Sequence, residues 1–203
     1  MKVYKYKSYK AYKLAQIKAN KAKIKNSWIR PETVDLICER ILKATPAPRF
    51  GLCHGTRRGI EQELFVDRLN CKVLGTEISS TAKNFPRTIQ WDFHYAKDEW
   101  IGACDFVYSN SLDHAYNPAG ALNKWLACLT ERGLLIIEWV DKLGKGEVKR
   151  STATDPFSAS TDEVCYLISE SSGEVLEVVP IIYCKTDVPL DTKVSIIFAR
   201  RKS

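Results

Sequence analysis

The chain has 203 residues, of which 45% are apolar and 27% are charged. This ordinary globular composition excludes collagen-like, disordered and disulfide-scaffold proteins, and the length is sufficient for one domain with a full core. No stretch approaches the roughly 18 apolar residues of a membrane span, and the N-terminus lacks the apolar segment of a signal peptide. The sequence therefore predicts a soluble, cytoplasmic protein with no membrane association.

Charge is distributed unevenly along the chain, whose net charge is +7. Residues 1–30 contain nine lysines and Arg30 but no acid, so the remaining 173 residues carry a net charge of −3. We divide the chain into a basic N-terminal arm, residues 1–30, and a body, residues 31–203. A helix is predicted over residues 8–25, packing Tyr12 on the body and turning its lysines to water. The alternating tyrosines and lysines also suit phosphate backbones and base stacking, so an RNA-binding arm is the alternative.

A second helix is predicted from Pro31, because proline suits a first helical turn and Val34, Ile37 and Ile41 recur at helical spacing. Beyond it, short apolar runs alternate with helical stretches, the pattern of βαβ units. Strands are predicted at residues 49–53, 72–76, 88–90, 105–109 and 133–139. Helices are predicted at residues 58–69, 98–101 and 118–129. The sequence therefore indicates an α/β fold around a mostly parallel sheet.

The C-terminal region departs from this alternation. A helix is predicted at residues 161–169, followed by strands at residues 174–183 and 193–200 that are separated by Asp187-Val188-Pro189. Two consecutive strands without a crossover helix favour an antiparallel pair closing the edge of the sheet.

Cysteines and histidines give no pattern of a metal or disulfide site. The seven cysteines occur singly among apolar neighbours, without a C-x-x-C pair, as is typical of reduced and buried thiols. The three histidines form no His/Cys cluster at zinc-ligand spacing, and the scattered aspartates suggest no magnesium cage. We expect no metal.

Polar side chains follow the predicted parallel strands, whose carboxyl ends border the ligand crevice in an open α/β sheet. The first strand leads into a turn with Gly55 and Gly59 before a helix, where free amides attract a carboxylate or phosphate. Glu77 follows the second strand, 22 residues after Gly55, the position at which a carboxylate holds a nucleoside ribose. Asp92 follows the third strand between aromatic residues, which suits the amino group and face of a base.

The segment after the fourth strand is the most specific signal. From Asp105 to Pro118 it runs as an Asp, an apolar strand, a small polar turn, an apolar residue, His114, and then a proline before a helix. In this order it resembles the class I S-adenosylmethionine-dependent methyltransferases, and the resemblance covers about residues 49–140. It implies a Rossmann-like sheet of seven strands, the last antiparallel, flanked by helices, with the basic helical arm as an N-terminal extension.

Carried over position by position, the resemblance implies S-adenosylmethionine as cofactor. Gly55 would face its amino-acid moiety, Glu77 its ribose, Asp92 and Phe93 its adenine, and Asn110 the region near the sulfonium. The full set expected to bind the cofactor is Cys53, His54, Gly55, Thr56, Glu77, Ile78, Asp92, Phe93 and Asn110.

The glycine turn departs from the family's usual acid-x-Gly-x-Gly-x-Gly pattern. Aligned with it, the chain reads Gly51-Leu52-Cys53-His54-Gly55-Thr56-Arg57, so the acid and two of the glycines are missing. We expect Arg57 to swing out and Gly59 to provide the close helix packing. The alternative is a pocket for a ligand other than the usual cofactor.

His114 and Asp113, on the loop after the fourth strand, are the candidates for a general base, because imidazole titrates near neutral pH and this loop should border the methyl group. In the arm, Tyr9, Tyr12 and Gln16 are expected to close over the pocket mouth as a lid that also contacts the acceptor. Asp155 is a further candidate for contacting the acceptor.

The resemblance implies a methyltransferase that works largely by positioning its two substrates. The chain lacks the Asp/Asn-Pro-Pro-aromatic turn expected of adenine-amino methylases and the Pro-Cys nucleophile expected of cytosine-carbon methylases. We therefore favour a small-molecule acceptor methylated on oxygen or nitrogen. The alternatives are an RNA methyltransferase that binds RNA through the basic arm, and an inactive nucleotide-binding module.

Overall fold

The structure is a computed structural model that describes residues 1–141, 143–144, 147–148, 151–181 and 194–202. The helices are α1 Tyr9–Ala22, α2 Pro31–Ala44, α3 Ile60–Leu69, α4 Pro118–Ala127 and α5 Thr161–Glu170. The strands are β1 Lys2–Val3, β2 Phe50–His54, β3 Lys72–Glu77, β4 Thr88–Gln90, β5 Cys104–Ser109, β6 Leu129–Val140, β7 Leu143–Gly144, β8 Glu147–Val148, β9 Phe157–Ser158, β10 Gly173–Ile181 and β11 Val194–Arg201.

Seven of these strands form one sheet, in the order β10-β11-β6-β5-β2-β3-β4. The strands from β2 to β6 pair in parallel, whereas β11 lies antiparallel to both β6 and β10. The order reverses between β2 and β5, and an open α/β sheet binds ligands beside such a reversal. This arrangement confirms the predicted fold, including the antiparallel strand near the edge.

Apolar residues cover both faces of the sheet, as parallel strands require. On one face, Ile37 of α2 and Phe65 of α3 belong to one buried cluster, and on the other face Trp125 of α4 and Ile168 of α5 belong to a second. The helix ends follow the local sequence: Pro31 starts α2, and Ser160 and Glu163 form a capping box at the start of α5. No helix in the described part of the chain is long and apolar enough to cross a membrane.

Most predicted elements occur within a few residues of their predicted bounds, with two differences of substance. The fifth parallel strand begins at Leu129 rather than at residue 133, because Leu129 pairs with Cys104 ahead of a bulge. The short helix at residues 98–101 is a 3-10 turn, Asp98–Trp100. Residues 182, 183 and 193 of the predicted last strands, and the separating Asp187-Val188-Pro189, lie outside the described residues.

Asp105 ties the start of β5 to the start of β2. Its carboxylate Oδ2 accepts hydrogen bonds from the backbone N–H groups of Arg49 at 2.7 Å and Phe50 at 3.1 Å. The side chain is 7% exposed, so these two amides would otherwise lack partners at the edge of the core. The sequence position of Asp105, at the beginning of its strand rather than at the end, indicates the same structural role.

We predict that Asp105→Ala lowers the free energy of unfolding by about 2 kcal/mol, because two amides lose a charged acceptor. Urea denaturation measures the change, and Asp67→Ala, which removes an exposed acid from α3, is the matched control. If Asp105→Ala lowers the free energy of unfolding no more than the control does, water replaces the carboxylate as acceptor without loss of stability.

Candidate functional site

Two adjoining cavities lie at the carboxyl ends of the parallel strands, under α1. The first is lined by Gln16, Asn20, Gly55, Glu77 and Ile78, among others. The second has a volume of about 360 Å³ and is lined by residues that include Trp28, Asn110, Asp113, Glu138, Trp139 and Asp155. Both are lined by Lys23, Arg57, Ser111 and His114, so these four residues mark their junction.

The turn after β2 is held by its neighbours on both sides. The N–H groups of Gly55 and Thr56 donate to the carbonyl of Thr76 at 2.9 and 3.1 Å, and the Ser111 hydroxyl donates to the Gly55 carbonyl at 3.2 Å. Gly55 has φ of +75°, and a Cβ on it would lie 2.5 Å from the Cβ of Ser111. Glycine is thus required at this position for both conformation and space.

Arg57 occupies the place of the last glycine in the usual pattern and adopts φ of +47°. Its guanidinium Nη1 donates to the carbonyl of Asn26 at 3.1 Å, so the side chain reaches toward the segment after α1. Two residues on, Gly59 has φ of +76°, and a Cβ there would lie 2.8 Å from Thr88 Oγ1. Gly59 is thus closely packed, as expected, but Arg57 does not leave the pocket, because it lines both cavities.

Glu77 lines the first cavity and is only 4% exposed. Its two carboxylate oxygens accept hydrogen bonds from the N–H groups of Arg57 at 3.1 Å and Ser79 at 2.9 Å. Burial raises the pKa of Glu77 above its ordinary value, although these two amides oppose the shift. The predicted ribose-binding carboxylate is therefore rigidly held at a cavity wall, and the adjoining Ile78 lines the same cavity.

Three other predicted cofactor-binding residues place their side chains away from the cavities. Cys53 lies in the core cluster that contains α2 and α3 residues. The His54 ring stacks on Trp125 at 5.0 Å, and burial lowers its pKa to about 3, so it is neutral. The Thr56 hydroxyl is buried beneath the turn. Any contribution of these residues to a ligand comes through the backbone.

Asp92 and Phe93, predicted to bind adenine, are covered by α1. The Tyr9 hydroxyl donates to Asp92 Oδ2 at 2.5 Å, and His94 Nδ1 lies 2.8 Å from Asp92 Oδ1. Burial acts to raise the pKa of Asp92, but the hydrogen bonds from His94 and Tyr9 outweigh it and the pKa lies below its ordinary value. Phe93 packs edge-on against Trp125 at 5.3 Å. Neither residue lines the two cavities described above.

Three of the four tyrosines of the arm, Tyr6, Tyr9 and Tyr12, pack on the body, whereas Tyr4 is exposed. Tyr12 is 1% exposed, and its ring lies 5.3 Å from that of Tyr116 and 5.5 Å from that of His94. Gln16 Nε2 donates to the carbonyls of Ala153 and Thr154 at 3.3 and 3.4 Å. All nine lysines of the arm are exposed. The rings that base stacking on RNA would need are thus largely occupied within the fold.

His114 is held in a defined orientation at the junction of the cavities. Its Nδ1 lies 2.7 Å from the carbonyl of Thr154, an acceptor only, so the neutral ring carries its proton on Nδ1 and leaves Nε2 as the basic atom. Asp113 Oδ1 is 3.8 Å from Nε2, and Asp155 Oδ1 is 3.7 Å from Nδ1. Each of these three residues offers one atom of a type that can ligate a metal ion, and the three atoms lie within 4.8 Å of one another.

Two buried glutamates at this site were missed by the sequence reasoning. Glu138, near the carboxyl end of β6, lines the second cavity and accepts a hydrogen bond from the Tyr108 hydroxyl at 2.6 Å. Glu61, in the first turn of α3, accepts from Asn110 Nδ2 at 3.3 Å. Burial raises the pKa of Glu61 to about 7, and the nearby charge of Glu138 adds to the shift. The strand-end rule applied to β6 would have found Glu138.

No protein-family model matches the sequence, and the curated proteins contain no match. Solved structures do match. The 1,6-didemethyltoxoflavin N1-methyltransferase of Burkholderia thailandensis, with S-adenosylhomocysteine bound, has a TM-score of 0.74 at 13% identity, covering 98% of this chain and 92% of that one. An S-adenosylmethionine-dependent methyltransferase of Clostridium acetobutylicum has a TM-score of 0.63 at 12% identity, covering 83% and 90%.

The chain has the class I methyltransferase fold. A third match, the cyclase SpnF, has a TM-score of 0.64 at 14% identity and covers 83% of this chain and 80% of that one. Because proteins named for different reactions share this architecture, the activity of this chain has to be argued from its own site.

Gly55 and Gly102 offer a matched test of the turn after β2. Both have positive φ, but a Cβ at Gly102 would meet nothing within 4 Å. We predict that alanine lowers the free energy of unfolding by about 1 kcal/mol at either position, from backbone strain. Gly55→Ala should cost about 1–3 kcal/mol more, from the clash with Ser111. The free energies of unfolding are measured by urea denaturation. Equal decreases in the two variants would contradict the close contact between residue 55 and Ser111.

Proposed function

We propose that this protein is an S-adenosylmethionine-dependent methyltransferase that acts on a small molecule. The observation that carries the proposal is that the two cavities adjoin and share four lining residues. One contains the held carboxylate of Glu77 and the Gly55 turn, the other is a separate space large enough for an acceptor, and they meet at Ser111 and His114. Ligand pockets commonly range over about 300–1,000 Å³, which includes the second cavity.

The first cavity is small, about 50 Å³, but the chemistry of its lining suits the cofactor's ribose and amino-acid ends, which would enter as α1 moves outward. Glu77 would accept hydrogen bonds from the ribose hydroxyls, and the Gly55 turn lines the same cavity. Lys23 and Arg57 at the junction supply cations for the cofactor's carboxylate. When bound, the cofactor supplies an electrophilic methyl group on a sulfonium, and the residues of the chain position it and handle the acceptor's proton.

The arm, residues 1–30, would act as a lid over the body, residues 31–203. In the present structure the Tyr9 hydroxyl donates a hydrogen bond to the same Asp92 oxygen that would accept one from an adenine amino group. Burial and this hydrogen bond raise the pKa of Tyr9, so its hydroxyl stays protonated and donates. Binding of adenine at Asp92 and Phe93 therefore requires the Tyr9 hydroxyl to move away from Asp92.

His114 would serve as the general base. Its Nε2 is the basic atom of the neutral ring, at the junction where the acceptor would meet the methyl group. Asp113, 3.8 Å from Nε2, would stabilise the imidazolium that forms when the ring takes a proton. Asp155, on the other side of the ring, lines the second cavity and would contact the acceptor. No metal enters this proposal.

The small-molecule assignment has independent support from the neighbours and from the arm. The Burkholderia thailandensis protein is named as an N1-methyltransferase of 1,6-didemethyltoxoflavin. Tyr6, Tyr9 and Tyr12 of the arm pack against Tyr116, with ring centroids 6.1, 5.1 and 5.3 Å away, which removes the stacking platform on which an RNA-binding arm depends.

The first test is the affinity for S-adenosylhomocysteine, measured calorimetrically. We predict binding to the wild-type chain and at least tenfold weaker binding to Glu77→Gln, because losing a charged acceptor costs about 1.5–3 kcal/mol. Gln keeps one acceptor for the backbone amides of the loop, so the variant should remain folded. Glu63→Gln, on an exposed glutamate of α3, is the control. Undetectable binding to the wild-type chain would refute the proposed function.

A second test concerns the lid. We predict that Tyr9→Phe binds S-adenosylhomocysteine about two- to tenfold more tightly, because the lost hydrogen bond no longer competes for Asp92 and contributes about 0.5–1.5 kcal/mol. Tyr4→Phe, on the same arm but 38% exposed, should leave the affinity unchanged. Weaker binding by Tyr9→Phe would mean instead that the Tyr9 hydroxyl is part of the binding site.

A further inference from the structure

Glu61 is a buried acid in the first turn of α3, where its side chain is 7% exposed. Its carboxylate accepts hydrogen bonds from the Asn110 side chain at 3.3 Å and from its own backbone N–H. Glu63 lies in the same turn but is exposed, so the attraction of acids to a helix N-terminus does not explain the burial of Glu61. Buried glutamates ordinarily have a cationic partner, yet Glu61 forms no ion pair with any residue that the structure describes.

Glu61 lines a third cavity, together with residues of the turn after β2 and of the segment after α1. The cavity is small, about 30 Å³, which is enough for a group of the size of an ammonium but not for a ring. Gly55, Arg57 and Ser111 line both this cavity and the first one. A ligand held in the first cavity could therefore extend past the Gly55 turn toward Glu61.

Two guanidinium groups border the same small cavity. Arg57 Nη1 donates to the carbonyl of Asn26 at 3.1 Å, and Arg58 Nη1 donates to that of Lys25 at 2.8 Å. Within the described chain, neither arginine forms an ion pair with a carboxylate. Because a guanidinium has five N–H donors, each of them retains donors for an anion. The third cavity thus presents one acidic group and two cationic groups to a ligand.

Two other charges act on Glu61 from a distance. The charge of Glu138 disfavours its ionisation, whereas that of Arg57 favours it. Burial is the largest influence and raises the pKa of Glu61 to about 7, so both protonation forms are present near neutral pH. A cation bound beside Glu61 would shift this balance to the carboxylate.

The geometry points to Glu61 as the residue that binds the ammonium group at the amino-acid end of the cofactor. This inference rests on the proposed function and extends it to a third cavity and to a residue of α3. The carboxylate on the same carbon atom would lie toward Arg57 and Arg58. The charges of the cavity therefore match those of a zwitterion.

The test compares S-adenosylhomocysteine with its desamino analogue, in which a hydrogen atom replaces the ammonium group. The dissociation constants of both ligands are measured calorimetrically on the full chain. We expect the wild-type chain to bind S-adenosylhomocysteine about tenfold more tightly than the analogue, because only S-adenosylhomocysteine can pair with Glu61.

The variant Glu61→Gln removes the charge and keeps an acceptor for the Asn110 side chain. Its affinity for S-adenosylhomocysteine should fall about tenfold, whereas its affinity for the desamino analogue should stay within about twofold of the wild-type value. Glu63→Gln is the matched control, since it removes a negative charge from the same turn of α3 outside the cavity. It should change neither affinity.

The outcomes separate this inference from the proposed function. If the wild-type chain binds neither ligand, the proposed function fails. If it binds S-adenosylhomocysteine no more tightly than the analogue, the inference about Glu61 alone is overturned. The same conclusion follows if Glu61→Gln weakens both ligands equally, which would make the role of Glu61 structural, or if it weakens neither.

Circular dichroism shows whether Glu61→Gln folds. If it does not, Glu61→Met replaces it in the same comparison, because an apolar side chain of similar length is often tolerated where a buried charge is removed. Loss of the preference for S-adenosylhomocysteine in this variant supports the inference, and a retained preference overturns it. The preference of the wild-type chain is measured in either case.

Discussion

The turn after β2 and the loop after β5 are joined by a short seam of hydrogen bonds, and the candidate site depends on it. The Ser109 hydroxyl donates to the carbonyl of His54 at 3.1 Å, and the Ser111 hydroxyl donates to that of Gly55 at 3.2 Å. This seam lies where the strand order reverses, and its Ser111 lines both cavities. A side chain at residue 55 would force the two segments apart.

The arm completes the site from the opposite side. Tyr6, Tyr9 and Tyr12 pack around His94 and Tyr116, and the later residues Gln16 and Lys23 contribute to the cavity walls. A basic segment that the composition marks as separate from the body is thus integrated through its aromatic face, while its lysines remain in solvent. The lysines and the packed aromatic residues therefore lie on different faces of the same helix.

The architecture was predictable because alternating apolar runs and helical stretches dictate a doubly wound sheet. Glu77 was predictable for a related reason: a polar residue directly after a buried parallel strand has few structural roles other than bordering the crevice. The structural role of Asp105 was predictable too, since it lies at the beginning of its strand, at the opposite end of the sheet from the ligand crevice.

Side-chain contacts between distant segments could not be predicted in the same way. The hydrogen bond from Tyr9 to Asp92 joins residues 83 positions apart, and no local pattern encodes it. Glu61 was overlooked because an acid in the first turn of a helix ordinarily favours the helix dipole at the surface. Its burial arises from tertiary packing, which brings Asn110 within hydrogen-bond distance and places the charge of Glu138 nearby.

The most direct test of the account is a crystal structure of the chain with S-adenosylhomocysteine. The account predicts the ribose hydroxyls on Glu77, the sulfur beside Ser111 and His114 facing the second cavity, and adenine at Asp92 with the Tyr9 hydrogen bond broken. A ligand bound elsewhere, or one whose ribose makes no contact with Glu77, would contradict the central claim that the two adjoining cavities form one methyl-transfer site.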